Sequence, residues 1–393
     1  MQQERRSYIL ITREFPPGQR GGIAQWAYNL HRTLSDAKYD ITVLTRRKGK
    51  KKDEILKNDF SVKYISGRNW EKLNWIYLLP YVLPVLITKK NVSIISATWN
   101  EIKILRHLKK FFKFTLYCSA RGTEITNSTH ERAGKKKKIM RRVLKDIDYL
   151  LPISRFLESK ILGAFPDLDI KSIIIGNDVN HNLFVPLADR EQKKEIRKLY
   201  DIPANAKVAL SVGRMVAFKG YPDLISALPE VVKAIPETLF IIVSDPDEPE
   251  YGKIRNAITV NGLEAHVRIL PTVEQRNLPP LYHLADIFVL YSKRIDVGMH
   301  QEEGFGKTSI EAAACGLPVI VSDTGGQPET VIHEKTGYVV PSGDFITLQK
   351  AMIQLLGDVE LSSAMGVNGR KFIEERFTSE IMKEKILALP VND

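Results

Sequence analysis

Short apolar runs alternate with helix-length segments along all 393 residues, and this alternation constrains the fold more than any other feature. Runs typical of buried strands occur at residues 8–12, 41–45, 62–65, 92–96, 114–119, 149–153 and 172–175, and again at 208–212, 239–243, 267–270, 287–291, 319–322 and 338–340. Strands that alternate with helices favour parallel sheets covered by helices. Because the chain is too long for one ordinary core, we predict two such α/β domains.

Turn-forming residues mark the expected junction between the domains. They run from Gly176 to Pro186, after a predicted strand and before a helix that begins near Asp189. We therefore expect an N-terminal Rossmann-like domain over residues 1–180, a second one over 181–375, and a terminal amphipathic helix within 376–393. Ligands of doubly wound sheets bind at the carboxyl ends of the strands, so we expect the site in a cleft between the two domains.

Charge is distributed unevenly over the two halves. Residues 1–180 contain 35 Lys and Arg against 17 Asp and Glu, a net charge of +18, whereas the remainder has 23 against 29, a net of −6. The cations concentrate in residues 46–52, 109–113 and 135–142. In the last segment, apolar residues recur at helical spacing, so the lysines would form the outer face of an amphipathic helix. That face is either simply solvated or attracted to an anionic membrane.

The compartment is inferred from the chain start, the apolar segments and the cysteines. Residues 1–6 are polar and lead directly into a strand, so we expect no secretory signal. The longest apolar run, residues 75–88, is interrupted by Pro80 and Pro84 and is shorter than the ~20 residues that span a membrane. Only Cys118 and Cys315 occur, which fits a reducing compartment. We expect a cytoplasmic protein, peripheral on the inner face of the cell membrane if the basic surface binds lipid.

Two loops that follow predicted strands carry glycines and cations. Gly21-Gly22 stands at the start of a helix, where backbone amides are available to a phosphate. This loop lacks the spacing of a dinucleotide fingerprint, which argues against a dehydrogenase. In the second loop, Arg214 and Lys219 lie five residues apart, so both side chains can reach a diphosphate. Fixed cations there would compensate the charge on a departing nucleotide.

The most specific segment runs from Glu302 to Pro318. Glu303 and Glu311 enclose seven residues, Gly304 and Gly306 permit a tight turn, and a short helix is predicted from Lys307. Backbone amides at Gly306, Lys307 and Thr308 would face a phosphate or a sugar. An ionised carboxylate accepts two hydrogen bonds side by side, which suits the vicinal hydroxyls of a sugar or a ribose.

With these loops the chain resembles the family 4 retaining glycosyltransferases of GT-B architecture. The resemblance is carried by five segments, namely Gly21-Gly22, Gly213-Arg214 with Lys219-Gly220, Tyr282 to Asp286, Glu303 to Glu311, and Gly325-Gly326 with Pro328-Glu329. Phe15-Pro-Pro and the insert from Lys293 to Gln301 look closest to bacterial mannosyltransferases of the phosphatidylinositol-mannoside type. The motifs indicate the family strongly and the sugar weakly.

The resemblance implies an enzyme, a hexosyltransferase, and assigns roles to positions of this chain. Arg214 and Lys219 would hold the donor diphosphate, Glu303 the sugar hydroxyls and Glu311 the ribose. The terminal helix would pack on the first domain. The implied catalytic residues are Glu303, Arg214, Lys219 and Arg121, and the implied donor contacts are Gly22, Arg214, Lys219, Leu270, Pro271, Glu303, Gly304, Phe305, Gly306, Lys307, Thr308 and Glu311. No cofactor and no metal ion is expected.

One position departs from the family pattern. Many members have a His-Gly pair after the strand predicted at 114–119, whereas this chain has Arg121-Gly122. An arginine is a permanent cation and cannot act as a general base. It can donate hydrogen bonds to a diphosphate or to an anionic sugar or acceptor, so this position bears on the identity of the donor and not on the reaction class.

The predicted partners are a nucleotide-sugar donor, GDP-mannose or a UDP-sugar, and a lipid-linked or glycan acceptor. The expected process is synthesis of cell-surface polysaccharide or glycolipid. Two other functions stay open. A sugar-nucleotide epimerase of the same fold needs further acid and base residues in the first domain, which the sequence does not reveal. A nucleic-acid-binding protein would explain the basic half, but no binding motif appears, and nucleic acid is not an expected partner.

Overall fold

The structure is a computed structural model that describes residues 6–16, 21–46, 62–65, 70–296 and 300–391. The chain divides into two compact units. Unit 1 comprises residues 1–177 and 382–393, and unit 2 comprises residues 178–381. Part of the basic segment 46–52, part of the Phe15-Pro-Pro loop and the centre of the 293–301 insert lie outside the described residues.

A six-stranded parallel sheet forms the centre of unit 1. Its strands are β1 (Ser7–Thr12), β2 (Asp40–Arg46), β3 (Val62–Ile65), β4 (Val92–Ser96), β5 (Thr115–Ala120) and β6 (Tyr149–Pro152), in the order β3-β2-β1-β4-β5-β6. In the middle of the sheet, Ile9 lies opposite Thr42 on one side and Ile94 on the other. Every residue of β1, β4 and β5 is buried, because both faces of a parallel sheet are covered.

The helices of unit 1 follow the predicted pattern. They are α1 (Gly22–Asp36), α2 (Trp70–Thr88), α3 (Thr123–Thr129), α4 (Lys135–Asp146) and α5 (Arg155–Ala164). The apolar run at 75–88 forms the later part of α2 and continues through Pro80 and Pro84. None of the helices in the described ranges combines the length and the apolar character needed to cross a bilayer.

The last residues of the chain complete the core of unit 1. Met382, Ile386 and Leu389 are buried in the same cluster as Tyr8 and Leu10 of the sheet. The hydroxyl of Tyr117 donates a hydrogen bond to the carbonyl of Pro390. Residues more than 350 positions apart in the sequence therefore share one hydrophobic core.

Unit 2 repeats the architecture of unit 1. Its strands are β7 (Lys207–Val212), β8 (Thr238–Val243), β9 (Val267–Leu270), β10 (Ile287–Leu290), β11 (Val319–Ser322) and β12 (Gly337–Val340), in the order β12-β11-β10-β7-β8-β9. Its helices are α6 (Arg190–Leu199), α7 (Tyr221–Ala234), α8 (Tyr251–Val260), α9 (Pro279–His283), α10 (Lys307–Ala314), α11 (Phe345–Gly357) and α12 (Val359–Arg376). A further helix, α13 (Ser379–Leu387), begins in unit 2 and ends in unit 1.

The predicted fold class is confirmed, with one error among the strands. Twelve of the thirteen predicted strands are present, but residues 172–175 do not form one. This segment is extended beside β6 and joins it through a single bridge, between Leu150 and Ser172. Its amides at Ile173 and Ile175 still bond to carbonyls of β6. The apolar run therefore packs at the sheet edge without forming a continuous ladder.

Gly366 lets α12 pack closely against the segment between α10 and β11. A Cβ atom at this position would overlap the carbonyl oxygen of Gly316. The overlapping group is backbone, which cannot move aside as a flexible side chain can. The contact places α12 directly beneath the turn that connects α10 to β11.

We expect Gly366→Ala to destabilise the protein by about 1–3 kcal/mol, because the added methyl group forces two backbones apart. Gly252→Ala is the matched control, since Gly252 also lies in a helix of unit 2 and has open space around it. The control should stay within about 0.5 kcal/mol of wild type. Chemical denaturation of the two variants measures the difference, and equal stability would contradict the close packing.

Candidate functional site

The topology of the unit 2 sheet directs attention to the loops after β7 and β10. The chain builds β7, β8 and β9 in one direction and then returns to place β10 on the other side of β7. Ligands of open parallel sheets bind at such a switch point, outside the carboxyl ends of the strands. The loop after β7 contains Arg214 and Lys219, and the loop after β10 leads to Glu303.

Lys219 and Glu303 meet at this switch point. The Nζ atom of Lys219 lies 2.5 Å from Oε2 of Glu303, and their side chains are 12% and 15% exposed. Gly213 lies beside the lysine and adopts a φ of 155°, a backbone conformation that favours glycine. The hydroxyl of Tyr221 donates a hydrogen bond to the Gly213 carbonyl and supports the same loop. A cation and a carboxylate are thus held together, largely shielded from water, at the ligand-binding edge of the sheet.

Arg214 does not join this pair. Its Nε atom donates a 2.9 Å hydrogen bond to Oε1 of Glu248, which lies in the segment after β8. The guanidinium side chain is 72% exposed. The two cations of the loop therefore have different carboxylate partners, and Glu248 is a contact that sequence reasoning missed. Nothing in the spacing between residues 214 and 248 indicates their contact.

The loop from Glu303 to Gly306 is fixed by the glycine pair of the next loop. The amide of Gly326 donates a 3.0 Å hydrogen bond to the carbonyl of Glu303. A Cβ atom at Gly325 would overlap that carbonyl, and one at Gly326 would overlap the carbonyl of Gly304. Both positions must therefore be glycine for the two loops to touch. Gly325 also adopts a positive φ of 67°, which favours glycine independently.

Helix α10 begins at the end of this loop and has no side-chain cap. Gly306, its N-cap residue, has φ 102° and no side chain to bond the first amides. Phe305 is buried and packs edge to face against Phe377, with ring centroids 5.6 Å apart. Within the described part of the chain, the hydroxyls of Thr308 and Ser309 have no hydrogen-bond partner. The helix N-terminus thus presents amides and a cation, Lys307, near the Lys219–Glu303 pair.

Glu311 lies further along α10 and is buried. Its Oε2 atom accepts a 2.8 Å hydrogen bond from the hydroxyl of Tyr282. Burial raises the pKa of the Glu311 carboxyl, while Lys307 and the Tyr282 hydroxyl act in the opposite direction. Tyr282 belongs to the motif 282–286, but its role depends on a contact across 29 positions that the sequence does not show. The hydroxyl of Tyr282 therefore positions the carboxyl group of Glu311.

Leu270 and Pro271 lie at the end of β9, two strands away from β7. Leu270 is half-buried and Pro271 is exposed. The carbonyl of Leu270 accepts a hydrogen bond from the amide of Ser244. Nearby, the carboxylate of Asp245 accepts hydrogen bonds from the amide and the hydroxyl of Thr272. These contacts join the loops after β8 and β9 on the same edge of the sheet as the Lys219–Glu303 pair.

The two predicted site residues of unit 1 are linked through α1. Gly22 is exposed at the first position of this helix. Arg121 follows β5, is 8% exposed, and stacks its guanidinium 4.2 Å from the ring centroid of Trp26, which also belongs to α1. Its Nη2 atom donates a 3.0 Å hydrogen bond to the side-chain oxygen of Asn177. The arginine is thus a rigid, buried cation instead of a mobile surface one.

Comparison with known proteins identifies the segment that carries the unit 2 site. The sequence model of the family described as "Glycosyl transferases group 1" matches residues 192–372. Residues 192–372 are thus similar to a group 1 glycosyl transferase domain. This domain contains every predicted site residue of unit 2, from Arg214 to Glu311, and excludes Gly22 and Arg121.

Curated relatives are about one third identical to the chain over the part of their length that aligns. A GDP-mannose-dependent alpha-(1-6)-phosphatidylinositol monomannoside mannosyltransferase of Mycolicibacterium smegmatis is 32% identical over 232 residues, 59% of each chain. A GDP-mannose-dependent monoacylated alpha-(1-6)-phosphatidylinositol monomannoside mannosyltransferase of Corynebacterium glutamicum is 32% identical over 249 residues, 63% of each chain. The chain thus aligns with about three fifths of the length of these relatives.

Solved structures support the GT-B glycosyltransferase fold. Sucrose-phosphate synthase from Thermosynechococcus elongatus has a TM-score of 0.81 and 22% identity, with 97% of both chains covered. HepE of Anabaena, solved in complex with UDP, has a TM-score of 0.80 and 19% identity, covering 97% of this chain and 98% of that one. At these identities the likeness establishes the fold alone. The predicted two-domain α/β architecture is confirmed on this ground.

In the group 1 domain, Tyr282→Phe should destabilise the protein by about 1–3 kcal/mol, because a buried carboxylate loses a hydrogen-bond donor. Loss of the hydroxyl raises the pKa of Glu311 further above its unfolded value. A raised carboxyl pKa reduces stability as pH increases above that value, so the defect should be larger at pH 8 than at pH 4.5. Urea denaturation at both pH values measures it.

Tyr200→Phe is the control for this prediction. The Tyr200 hydroxyl makes no hydrogen bond with another described residue, so this variant should stay within about 0.5 kcal/mol of wild type at both pH values. A defect of the Tyr282 variant that does not change with pH would contradict the proposed link between the phenol and Glu311.

Proposed function

We propose that the protein is a retaining glycosyltransferase that moves a hexose from a nucleoside-diphosphate sugar to a lipid-linked or glycan acceptor. The observation that carries this proposal is the shielded Lys219–Glu303 pair at the switch point of a group 1 glycosyl transferase domain. One member of the pair suits a diphosphate and the other suits sugar hydroxyls. The reaction would serve synthesis of a glycolipid or a cell-surface polysaccharide.

The donor is proposed to be GDP-mannose, with a UDP-sugar as the alternative. Two relatives at 32% identity are named as GDP-mannose-dependent mannosyltransferases, which favours the first choice. A structural neighbour was solved in complex with UDP, which supports a UDP-sugar as the alternative donor. The base would lie against the backbone near Leu270 and Pro271, where the loops after β8 and β9 are joined.

Donor binding would redistribute the charges of the site. Lys219 would leave Glu303 for the diphosphate, and the released carboxylate would accept hydrogen bonds from sugar hydroxyls. The amides at the start of α10 and the hydroxyl of Thr308 would face the same anion. Arg214 reaches it only by leaving Glu248, which its exposure permits. Glu311, held by Tyr282, would contact the ribose.

The proposed reaction proceeds with retention at the anomeric carbon. The bond from this carbon to the β-phosphate oxygen breaks, and the acceptor oxygen forms its new bond on the same face. The acceptor proton passes to an oxygen of the departing diphosphate. The negative charge that develops on the leaving group is compensated by Lys219, by Arg214 and by the α10 amides. No metal ion is needed for this compensation.

Unit 1 is proposed to select the acceptor, with Gly22 and Arg121 contributing to transfer. Arg121 stays protonated, and its stacking on Trp26 and its bond to Asn177 hold it in one orientation. It would therefore act as a hydrogen-bond donor to an anionic group and not as a base. This role distinguishes the chain from family members that have a histidine at the equivalent position.

The two members of the Lys219–Glu303 pair should fail in different ways. Glu303→Ala should lower transfer at least about 100-fold and leave UDP or GDP binding unchanged or tighter, because Lys219 is freed for the diphosphate. Lys219→Ala should weaken nucleoside-diphosphate binding about 10- to 100-fold, because a charge-assisted hydrogen bond is lost. Calorimetry with UDP and GDP measures nucleotide binding. A thermal-shift screen of GDP-, UDP- and ADP-sugars identifies the donor, and turnover is then measured with that donor.

Glu264→Ala serves as the control, since Glu264 is an exposed residue of the same unit. It should retain full transfer and full donor binding, and circular dichroism should show that all three variants are folded. Unimpaired transfer by folded Glu303→Ala would refute the proposed site. Failure of every nucleotide sugar to stabilise the wild-type protein would refute the proposed function.

We further propose that unit 1 contacts an anionic membrane through α4 and the neighbouring segment 105–113. Lys135, Lys136 and Lys138 are exposed on α4, whereas Met140, Val143 and Leu144 are buried against the unit. Ion pairs tie the segment 105–113 to the last residue of α4 and to the turn that follows it, where Lys109 lies 2.6 Å from Asp148. It presents Phe111, which is 79% exposed, between exposed lysines at 110 and 113. An exposed aromatic ring among cations suits a lipid surface.

Replacement of Lys135, Lys136 and Lys138 by alanine should weaken binding to anionic vesicles at least tenfold, since each cation contributes about 1 kcal/mol near the surface. Sedimentation with phosphatidylglycerol vesicles at low salt measures this. The matched variant replaces Lys198, Lys233 and Lys253, three exposed lysines of unit 2, and should bind like wild type. Absence of wild-type binding, or equal loss in both variants, would disprove the membrane surface.

A further inference from the structure

A cavity lies at the edge of the unit 2 sheet opposite to the proposed donor site. It has a volume of about 350 Å³ and is lined by the first residue of β7, by residues just before β10 and β11, and by parts of α6, α11 and α12. The proposed donor site lies at the carboxyl ends of the same strands, so the two sites do not share residues. The volume falls within the ~300–1,000 Å³ of small-molecule sites.

The cavity is strongly cationic. Lys193, Lys194, Arg197 and Lys207 line it, and Asp286 is the single carboxylate among the lining residues. Residue Asp286 ends the motif 282–286 that the sequence singled out, and the proposed transfer reaction assigns it no role. The unit as a whole is acidic in sequence, since residues 181–393 carry a net charge of −6. A concentration of four cations around one cavity is therefore a local feature of this face.

Asp286 is fully occupied by the scaffold. Its Oδ1 atom accepts a 2.7 Å bond from Lys193, and Oδ2 accepts bonds from Arg197 and from the amide of Val208. Arg197 also donates to the carbonyls of Leu284 and Ala206. Burial opposes ionisation of Asp286, but the two cations outweigh it and hold the pKa of the carboxyl below its usual range. One carboxylate thus pairs with a buried arginine and a half-buried lysine, and the remaining charge of the cavity is positive.

Lys207 and Lys194 are the two cations of the cavity that do not pair with Asp286. In the described ranges Lys207 forms no ion pair, and it is close enough to lower the pKa of Lys193 by repulsion, although burial is the larger cause. Lys194 pairs with Glu191 at the protein surface, where both side chains are more than half exposed. An exposed pair of this kind contributes little and is readily exchanged for another anion.

The rest of the lining is apolar with two hydroxyl residues. Leu317, Pro318, Leu356 and Val359 form an apolar side, and Ser362 and Ser363 project from the first turns of α12. An anion that carries an organic body therefore finds both a charged and an apolar surface. Phosphate groups suit lysine cations and hydroxyl donors in this arrangement.

We propose that this cavity binds a small phosphorylated molecule at a site distinct from the donor site. Lys194 and Lys207 bind the phosphate group, and the positive charge of Lys193 attracts it further. The apolar side of the cavity packs against the organic part of the ligand. Because the site lies at the amino ends of the strands, its ligand is an effector and does not take part in transfer. The inference stands independently of the identity of the donor.

Inorganic pyrophosphate is the probe, and the background variant is Arg214→Ala/Lys219→Ala, which removes the donor-site cations. Calorimetry at constant ionic strength should show pyrophosphate binding to this background protein. Adding Lys194→Ala/Lys207→Ala should weaken the binding at least tenfold. Lys233→Ala/Lys253→Ala removes the same charge from exposed positions of the same unit and should leave the dissociation constant unchanged.

Lys193 and Arg197 are left intact because they hold Asp286 and the fold around it. Lys194→Arg/Lys207→Arg retains both charges and should restore binding to within threefold of the background protein. Absence of binding in the background protein would overturn the proposal. Equal dissociation constants for the two alanine pairs would overturn it as well, since they would show non-specific attraction to positive charge.

Discussion

The backbone of Gly325 and Gly326 lies against the backbone of Glu303 and Gly304, with no space for a side chain between them. This contact joins the loops after β10 and β11 and determines where Glu303 is held. The buried side chain of Gln327 reinforces it, because its Oε1 atom accepts hydrogen bonds from the amide and the hydroxyl of Ser322. The position of the first glutamate and the start of α10 therefore depend on two residues that cannot carry a Cβ atom.

The Lys219–Glu303 pair depends on that contact, because the contact holds Glu303 within reach of Lys219. Two charges that are mostly removed from water are costly to separate unless another partner replaces the lost one. The proposed nucleoside-diphosphate sugar would offer both replacements, an anion for the lysine and hydroxyls for the glutamate. The site is thus preorganised, with the charges already desolvated and held by rigid loops. Glu311 is also removed from water, and the hydrogen bond from Tyr282 offsets part of the cost of burying its carboxyl group.

Much of the fold was predictable from the sequence, and so were some features of the candidate site. Twelve strands follow from apolar runs because a buried parallel strand leaves a strong local signal. The run at residues 172–175 has the same signal but lies beside β6 with a single bridge, since hydrophobicity reports burial and not pairing. The loops that hold Arg214, Lys219 and Glu303 were found from glycines and strand ends. The contacts of these side chains could not be found in the same way, and the structure shows that Arg214 contacts Glu248.

The sequence alone determined the two-domain α/β class, and it predicted the edge of the sheet where the candidate site lies and the chemical types of the residues there. These properties are local, because they follow from the periodicity, the turn residues and the strand ends of short segments. Only the tertiary structure decided which charges meet: Lys219 with Glu303 across 84 positions, Tyr282 with Glu311, and Arg197 with Asp286 across 89. It also revealed the cationic cavity, whose lysines come from α6 and β7. Such contacts depend on how loops and helices pack in three dimensions, and residue spacing along the chain does not encode this directly.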